Sequence, residues 1–479
     1  MHRSLAAARP SAGQSLAVAA AGVALGVCAV GAATAPAPAR GVWAAAALVP
    51  IVCVLVGDVR RLLLVVVALD VPLAFDVNLD YRDDAAALGA LGGFGVSLTT
   101  IAVLALWALA LAEPRPEGDP PGVVKRVALP ATLFVGITVA SAAVAHDRGL
   151  SAFEIALLVQ CLLLFAYVAA RVRTRSEVLL LVGAMLAGLA IEGLIVAAAY
   201  SGWVLDTAGL TARVDDDGYA RVGGTVGDPN GAGAYFALLL VPALAVLLAP
   251  VGRGLRRLAA VALVLGLFGL VITFSRGGWL GFAVALALFC AVGWHRRWFS
   301  LKAPLVVGLA LLAVLVPLGD SVADRLTQSD QGAAASRTPL AETALRMSQD
   351  HPLLGVGSNN YTVAMPTYET RDRAAEWAYT VHNKYLLVLA ETGVVGLVAF
   401  LWFLVAGLRA GARASRARDP ALAMIAVAFA AGLVGQCVHM GVESFRGRPL
   451  VQGLFLTAGL LTALAAMAGR EAARRREVP

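Results

Sequence analysis

Residues 231–294 read GAGAYFALLLVPALAVLLAPVGRGLRRLAAVALVLGLFGLVITFSRGGWLGFAVALALFCAVGW. Three apolar runs, at 231–250, 258–274 and 278–294, are separated only by an arginine-rich turn and by a turn that contains Ser-Arg-Gly-Gly. A helix needs about 20 apolar residues to cross the hydrocarbon core of a bilayer. The stretch therefore predicts three consecutive transmembrane helices with short connections.

The whole chain has the same apolar character. Of its 479 residues, 59% are apolar and 14% are charged, and the mean hydropathy is +0.80. Soluble domains carry about 25% charged residues, so the composition excludes a soluble globular protein and also the disordered, collagen-like and disulfide-rich classes. The cysteines all lie inside apolar runs, which indicates neither a disulfide framework nor a zinc site. They are Cys28, Cys53, Cys161, Cys290 and Cys437.

The apolar runs predict an all-α fold, a polytopic transmembrane helical bundle of 12–14 spans. The count has a range because the short runs 42–57 and 62–75 could form a single re-entrant hairpin. The run 14–35 is long for a signal peptide and is kept as the first span. The predicted spans are 14–35, 42–57, 62–75, 88–112, 127–145, 152–170, 177–200, 231–250, 258–274, 278–294, 303–318, 384–408, 420–440 and 450–469.

Basic residues predict the orientation of these spans. With a cytoplasmic N-terminus, 24 of the 38 Lys and Arg residues fall in short inside loops and tails, as the positive-inside rule requires. The positive net charge therefore orients the chain, and no nucleic-acid partner is expected. The predicted organisation has motif-free helices in 1–200, an outer loop at 201–230, helices with the Ser-Arg-Gly-Gly turn in 231–318, a long periplasmic loop with short helices at 319–383, and C-terminal helices with a basic cytoplasmic tail in 384–479.

Two polar turns on the predicted outer face are suited to binding an anion. Arg221 begins a Gly- and Asp-rich segment that ends at Asn230, which, like Asp228, is placed to cap the next helix. Ser275 is placed to cap the span after it, with Arg276 as the first helical residue. The two glycines that follow would let a ligand approach the helix N-terminus. An arginine at a helix N-terminus is a natural site for a phosphate or diphosphate.

A histidine–asparagine pair lies at the start of the twelfth span. His382 and Asn383 precede it, and nine residues separate Asn383 from Gly393. A continuous helix would place Gly393 and Gly396 on the His382 face and so predicts close packing beneath the imidazole. The same geometry turns Glu391 away, towards a different helix. The positive end of the helix dipole would keep His382 neutral near pH 7, which suits a general base.

Other polar residues leave two interpretations open. Asp70, Glu192 and Glu443 lie in or beside predicted spans, where charge is costly, and each fits either a functional role or a buried hydrogen bond. His351 fits a hydrogen bond within its loop better than a role in chemistry. The cytoplasmic loops carry no glycine-rich phosphate loop, so chemistry driven by ATP is not expected.

Four features resemble the O-antigen ligase and O-antigen polymerase superfamily. They are the segment 221–230, Thr-Phe-Ser-Arg-Gly-Gly at 273–278, His-Pro-Leu-Leu-Gly-Val-Gly at 351–357, and His382-Asn383 followed by Gly393 and Gly396. The resemblance runs from about residue 215 to 405 and is greatest to the ligase branch.

This resemblance implies a GT-C-like membrane glycosyltransferase that takes a glycan from undecaprenyl diphosphate on the periplasmic face of the inner membrane. His382 would activate an acceptor hydroxyl for inverting displacement, and the two arginines would bind the diphosphate. Neither cofactor nor metal is implied, and the acceptor would be a lipid A–core sugar or another lipid-linked glycan. The implied substrate-binding residues are Arg221, Arg276, Asn230, Asn383 and Ser275.

Three alternatives to a ligase remain. A polymerase of the same superfamily would share the donor and differ in the acceptor. A related oligosaccharyltransferase would glycosylate protein. A polysaccharide or lipid transporter would instead carry an internal repeat and paired broken helices near the midplane, and the sequence indicates neither.

Overall fold

Long apolar runs become helices throughout the part of the chain that a computed structural model describes. These described residues are 58–73, 76–113, 121–201, 212–216, 219–298, 333–368 and 379–477, together with residues 308, 319, 322 and 323. The helices are α1 (Val59–Asp70), α2 (Asp83–Ala87), α3 (Leu98–Ala112), α4 (Pro121–Ser141), α5 (Arg148–Arg171), α6 (Arg175–Tyr200), α7 (Pro229–Leu248), α8 (Arg253–Ile272), α9 (Arg276–His295), α10 (Ala333–Asp350), α11 (Tyr361–Tyr368), α12 (Lys384–Ala414), α13 (Pro420–His439) and α14 (Arg448–Glu477).

Two small antiparallel hairpins accompany the helices. Strand β1 (Val77–Leu79) pairs with β2 (Phe94–Val96), and β3 (Ala212–Asp216) pairs with β4 (Tyr219–Gly224). Within the described residues, nine helices, α4 to α9 and α12 to α14, are long and apolar enough to cross a membrane. The prediction of an all-α polytopic membrane protein is confirmed.

Two predicted spans are wrong in length. Helix α1 has 12 residues and ends at Asp70, within the predicted run 62–75, and 88–112 forms a turn, strand β2 and the 15-residue helix α3. Helix α3 starts late because Ser97 caps it, accepting a hydrogen bond from the backbone N–H of Thr100. The predicted spans 14–35 and 42–57 lie outside the described residues, as does nearly all of 303–318.

Polar side chains cap six of the nine long helices. Each accepts a hydrogen bond from a backbone N–H group of the first turn, which otherwise has no partner within its helix. Asp228 is the cap of α7, and Asn230 lies inside that helix. The capping residues of α5, α6, α7, α9, α12 and α13 are Asp147, Thr174, Asp228, Ser275, Asn383 and Asp419.

Small residues allow the central helices to approach closely. Helix α9 packs against both α7 and α13. A Cβ atom on Gly281 would lie 2.8 Å from the carbonyl oxygen of Gly435, and one on Gly278 would lie 3.0 Å from the backbone of Gly233. Apolar association adds little inside a bilayer, so such backbone contacts matter for packing there.

The two ends of the bundle differ in chemistry. One end is rich in arginine, with ion pairs from Arg60 to Glu177 at 2.8 Å and from Arg175 to Asp419 at 2.6 Å. The opposite end carries the hairpin β3–β4, the α8–α9 turn, the loop 351–360, and the α13–α14 loop, defined as residues 440–447. Loops that the charge pattern assigns to one side of the membrane therefore lie together at one end of the bundle.

Candidate active site

Arg221 joins the two polar turns predicted to bind an anion. It lies on β4 with 9% of its surface exposed, and its Nε donates to the carbonyl oxygen of Thr273 at 3.2 Å. Its Nη2 donates to Oδ1 of Asn230 at 2.7 Å. Below the hairpin, Glu192 accepts hydrogen bonds from the N–H and the hydroxyl of Thr225, at 2.8 and 2.5 Å. Glu192 is thus a buried hydrogen-bonding group that fixes the end of β4.

The Ser275–Arg276 turn begins α9. Ser275 is buried, and its Oγ accepts from the N–H of Gly278 at 3.2 Å, while Arg276 is exposed as the first helical residue. The expectation that both glycines admit a ligand is wrong. A Cβ atom on Gly277 would lie 2.7 Å from Cδ2 of His439, and Gly278 lies against the backbone of α7. Both glycines are used for helix packing.

Asn383 anchors the α13–α14 loop. Its Oδ1 accepts from the N–H groups of Tyr385 and Leu386 at 3.0 Å each, which caps α12. Its Nδ2 donates to the carbonyl oxygen of Gly441 at 3.0 Å. The backbone N–H of Lys384 also donates to this segment, to the carbonyl oxygen of Met440 at 2.8 Å. Asn383 therefore joins the start of α12 to the α13–α14 loop, directly next to His382.

His382 lies beside a buried carboxylate. Its Nδ1 is 3.7 Å from Oε1 of Glu443, and its ring stacks on Tyr379 with the ring centres 5.4 Å apart. The histidine lies one residue before Asn383, the cap of α12. Glu443, with 11% of its side chain exposed, thus places a carboxylate next to this imidazole.

The pKa values of two neighbouring acidic groups, Glu443 and Asp228, shift in opposite directions. Burial opposes ionisation of Glu443, but the imidazoles of His382 and His439 outweigh it and lower the pKa of Glu443 to about 2. Desolvation by the surrounding protein and repulsion by the carboxylate of Glu443 raise the pKa of Asp228 to about 6, although Asp228 is exposed to solvent. At neutral pH Glu443 is thus a carboxylate facing His382.

A helix break joins two of the sequence motifs. Gly393, with φ of 68° and ψ of −174°, interrupts α12. The backbone N–H groups of Val356 and Gly357 donate to the carbonyl oxygens of Ala390 and Glu391, at 2.9 and 3.1 Å. The N–H of Val394 donates to the carbonyl oxygen of Pro352 at 2.8 Å. The loop 351–357 therefore satisfies the backbone groups that the break leaves without helical partners.

The predicted packing of Gly393 and Gly396 beneath the imidazole is wrong because that prediction assumed a continuous helix. A Cβ atom on Gly393 would meet the backbone of Leu353, and one on Gly396 would meet Thr392 of its own helix. Gly393 serves the junction with the loop 351–357, whereas Gly396 leaves room for the side chain of Thr392.

The comparison with known families gives one match. The family model described as O-antigen ligase matches residues 261–401. This match supports a place for the segment in the O-antigen ligase superfamily. No curated protein matches the chain significantly. The O-antigen ligase segment contains the Ser275–Arg276 turn, the loop 351–357, His382 and the break at Gly393, whereas Arg221 and Glu443 lie outside it. The family indicates a membrane enzyme of the glycan ligase or polymerase type that acts on lipid-linked glycans.

Two buried charges of the site were not assigned from the sequence. Glu391 forms an ion pair with Arg446, which lies in the α13–α14 loop, so the expected partner on another helix is wrong. Oε1 of Glu391 also accepts from the N–H of Tyr361 at 3.0 Å. Arg446 and Glu443 are three residues apart, so this ion pair fixes the loop that presents the carboxylate to His382. Among the described residues, no group of three or more His, Cys, Asp or Glu side chains is arranged to hold a metal ion.

The helix break gives a stability prediction. Gly393→Ala places a side chain where φ is positive and where the backbone of Leu353 already lies. A left-handed conformation alone costs a non-glycine residue about 1–2 kcal/mol, so unfolding should occur at clearly lower temperature. The matched control is Gly136→Ala in α4, where nothing lies within 4 Å of the added Cβ. Thermal unfolding in detergent measures both, and equal melting temperatures for the two variants would contradict the structural role of the break.

The low pKa of Glu443 gives a pH prediction. A carboxyl group whose pKa falls from 4.5 to about 2 on folding stabilises the protein fully above pH 4.5, and this contribution is lost as pH falls towards 2. The stability that wild type has over Glu443→Gln should therefore decrease as pH falls from about 4.5 towards 2. A difference in melting temperature that stays unchanged as pH falls from about 4.5 to about 2 would contradict the pairing of Glu443 with the imidazoles.

Proposed function

We propose that this protein is a glycosyltransferase that moves a glycan from undecaprenyl diphosphate to a sugar hydroxyl of an acceptor, with ligase activity on a lipid A–core acceptor. The observation that carries the proposal is the position of His382 against the ionised Glu443, at the same end of the bundle as Arg221 and Arg276. The family match supports the reaction class.

His382 acts as the general base in this proposal. The Glu443 carboxylate faces Nδ1, so it favours the tautomer with a proton on Nδ1 and leaves Nε2 as the acceptor. The acceptor hydroxyl gives its proton to Nε2 while its oxygen attacks the anomeric carbon. The bond from that carbon to the diphosphate oxygen breaks, and undecaprenyl diphosphate leaves with inversion. Glu443 then stabilises the imidazolium, in the same way as the carboxylate in a Ser-His-Asp triad.

Arg276 and Arg221 act on the donor. Arg276 is exposed at the first position of α9, where its guanidinium and the helix dipole both favour a phosphate group. Arg221 holds the turn before α9 through the carbonyl oxygen of Thr273 and brings Asn230 to the same place. These cations compensate the negative charge that develops on the departing diphosphate, so the proposed chemistry requires neither ATP nor a metal.

The proposed side of the reaction is the periplasm. The arginine-rich end of the bundle would face the cytoplasm by the positive-inside rule, which leaves His382 and Arg276 on the outer face. Both chain termini would then be cytoplasmic, and the membrane would be the inner membrane.

A transfer assay tests the proposal. Purified full-length protein in detergent is given a glycan on undecaprenyl diphosphate and a core-oligosaccharide acceptor, without nucleotide and with a metal chelator. Transfer to the core supports a ligase. A ladder of longer glycans on the donor supports the polymerase instead. Movement of glycan across proteoliposomes without any transfer in either arm would contradict the enzyme proposal.

A further inference from the structure

A groove between α4 and α12 lies at the arginine-rich end of the bundle. The two helices pack side by side and run in opposite directions, so the start of α4 lies beside the end of α12. The groove has a volume of about 370 Å³, which is in the range of about 300–1,000 Å³ typical for small-molecule sites. It is lined by Gly122, Lys125, Arg126, Leu129, Trp402, Ala406, Arg409 and Arg413.

Four cations line this groove, and the described part of the chain offers them no carboxylate partner. Among the described residues, none of Lys125, Arg126, Arg409 and Arg413 forms an ion pair, whereas Arg175 at the same end is 2.6 Å from Asp419. Arg409 and Arg413 are four residues apart on one helix face, where like charges repel each other. An anion bound between the helices would relieve that repulsion.

An exposed apolar surface continues from the cations towards the middle of the bundle. Leu129 and Leu133 on α4, and Trp402 and Val405 on α12, are all more than 40% exposed. Arg409 lies seven positions after Trp402, which is about 10 Å along a helix. Tryptophan is enriched where headgroups meet hydrocarbon, so this spacing places the cations at headgroup level and the apolar surface beside acyl chains.

We propose that the groove binds an anionic glycerophospholipid with two phosphates, of the cardiolipin class. Each phosphate would lie between one basic residue of α4 and one of α12, and the acyl chains would follow the exposed apolar surface. A lipid with one phosphate would engage only one of these two pairs of basic residues. Basic pockets between transmembrane helices on the cytoplasmic side are suited to such headgroups. The site lies at the opposite end from His382 and does not depend on the proposed function.

Lipid titration followed by native mass spectrometry tests this site. Purified full-length protein is titrated separately with cardiolipin, phosphatidylglycerol, phosphatidylcholine and inorganic diphosphate. Cardiolipin should bind at least tenfold more tightly than the other three. The double variant Arg409→Ala/Arg413→Ala should weaken cardiolipin binding about tenfold or more, because each basic residue near a headgroup contributes measurably to anionic-lipid affinity.

The matched control removes the same charge elsewhere at the same end. Arg256 and Arg257 are exposed in the first turn of α8 and do not line the groove. Arg256→Ala/Arg257→Ala should leave cardiolipin binding within twofold of wild type. Equal losses in the two double variants would overturn the proposal in favour of general charge attraction. Equal affinity for phosphatidylcholine or for free diphosphate would overturn it as well.

Discussion

Replacing His382 by alanine is expected to lower glycan transfer by about 10²–10⁴-fold, the contribution typical of a positioned general base. The His382 side chain is half-buried between Tyr379 and Glu443. It approaches the Glu443 carboxylate from the start of α12. His382→Gln should be equally inactive, because an amide fills much of the same space but cannot accept the proton. The initial rate of transfer at saturating donor and acceptor measures the effect.

A second histidine provides the control for this loss. His146 is exposed in the short connection between α4 and α5, at the same end of the bundle, and is outside the proposed site. His146→Ala should transfer glycan at the wild-type rate. Donor binding by His382→Ala should also remain close to wild type, because the proposed diphosphate contacts come from other residues. Turnover by His382→Ala within a few fold of wild type would remove the histidine from the mechanism.

The sequence was sufficient for the features that depend on local patterns. Apolar runs of about 20 residues predicted the nine long helices because a bilayer fixes that length. The cap at Ser275 followed from residue type and position, and Asp228 was one of two predicted alternatives for the cap of α7. The lengths of the short helices α1 and α3 were predicted wrongly, because apolar composition does not distinguish a membrane span from a shorter helix that packs against the bundle.

The break in α12 could not be predicted from local pattern. A helical wheel assigns directions only while the helix is continuous, and Gly393 ends that continuity. The break is stable because the loop 351–357 supplies partners for the carbonyl oxygens of Ala390 and Glu391. One motif therefore compensates for the irregular backbone of another, which is a tertiary relationship that spacing does not reveal.

The partner of His382 could not be predicted from residue spacing either. Glu443 follows the histidine at a distance of 61 positions along the chain, and the fold brings the two together only when α12, α13 and the α13–α14 loop are all in place. The sequence marked Glu443 as a costly charge next to a span but left its role open. Arg446 gave no signal, because an arginine beside a span end is ordinary.

Replacing Arg446 by alanine is expected to destabilise the protein by about 3–5 kcal/mol, because it leaves the buried carboxylate of Glu391 without its counter-charge. Both side chains are almost completely enclosed, with 6% and 3% exposed. Arg446 also donates to Oδ1 of Asn359 at 3.1 Å and to the carbonyl oxygen of Gly89 at 3.2 Å. Thermal unfolding in detergent measures the loss.

A double variant separates the ion pair from simple packing. If the loss comes from an uncompensated charge, Arg446→Met combined with Glu391→Gln should cost less than the sum of the two single changes. The matched control is the exposed pair of Glu342 and Arg346, 3.8 Å apart, where Arg346→Ala should cost no more than about 1 kcal/mol. Additive losses in the double variant would show that the two charges act independently. Because Arg446 and Glu443 share one short loop, Arg446→Ala should also release the carboxylate from His382 and reduce glycan transfer in the protein that remains folded.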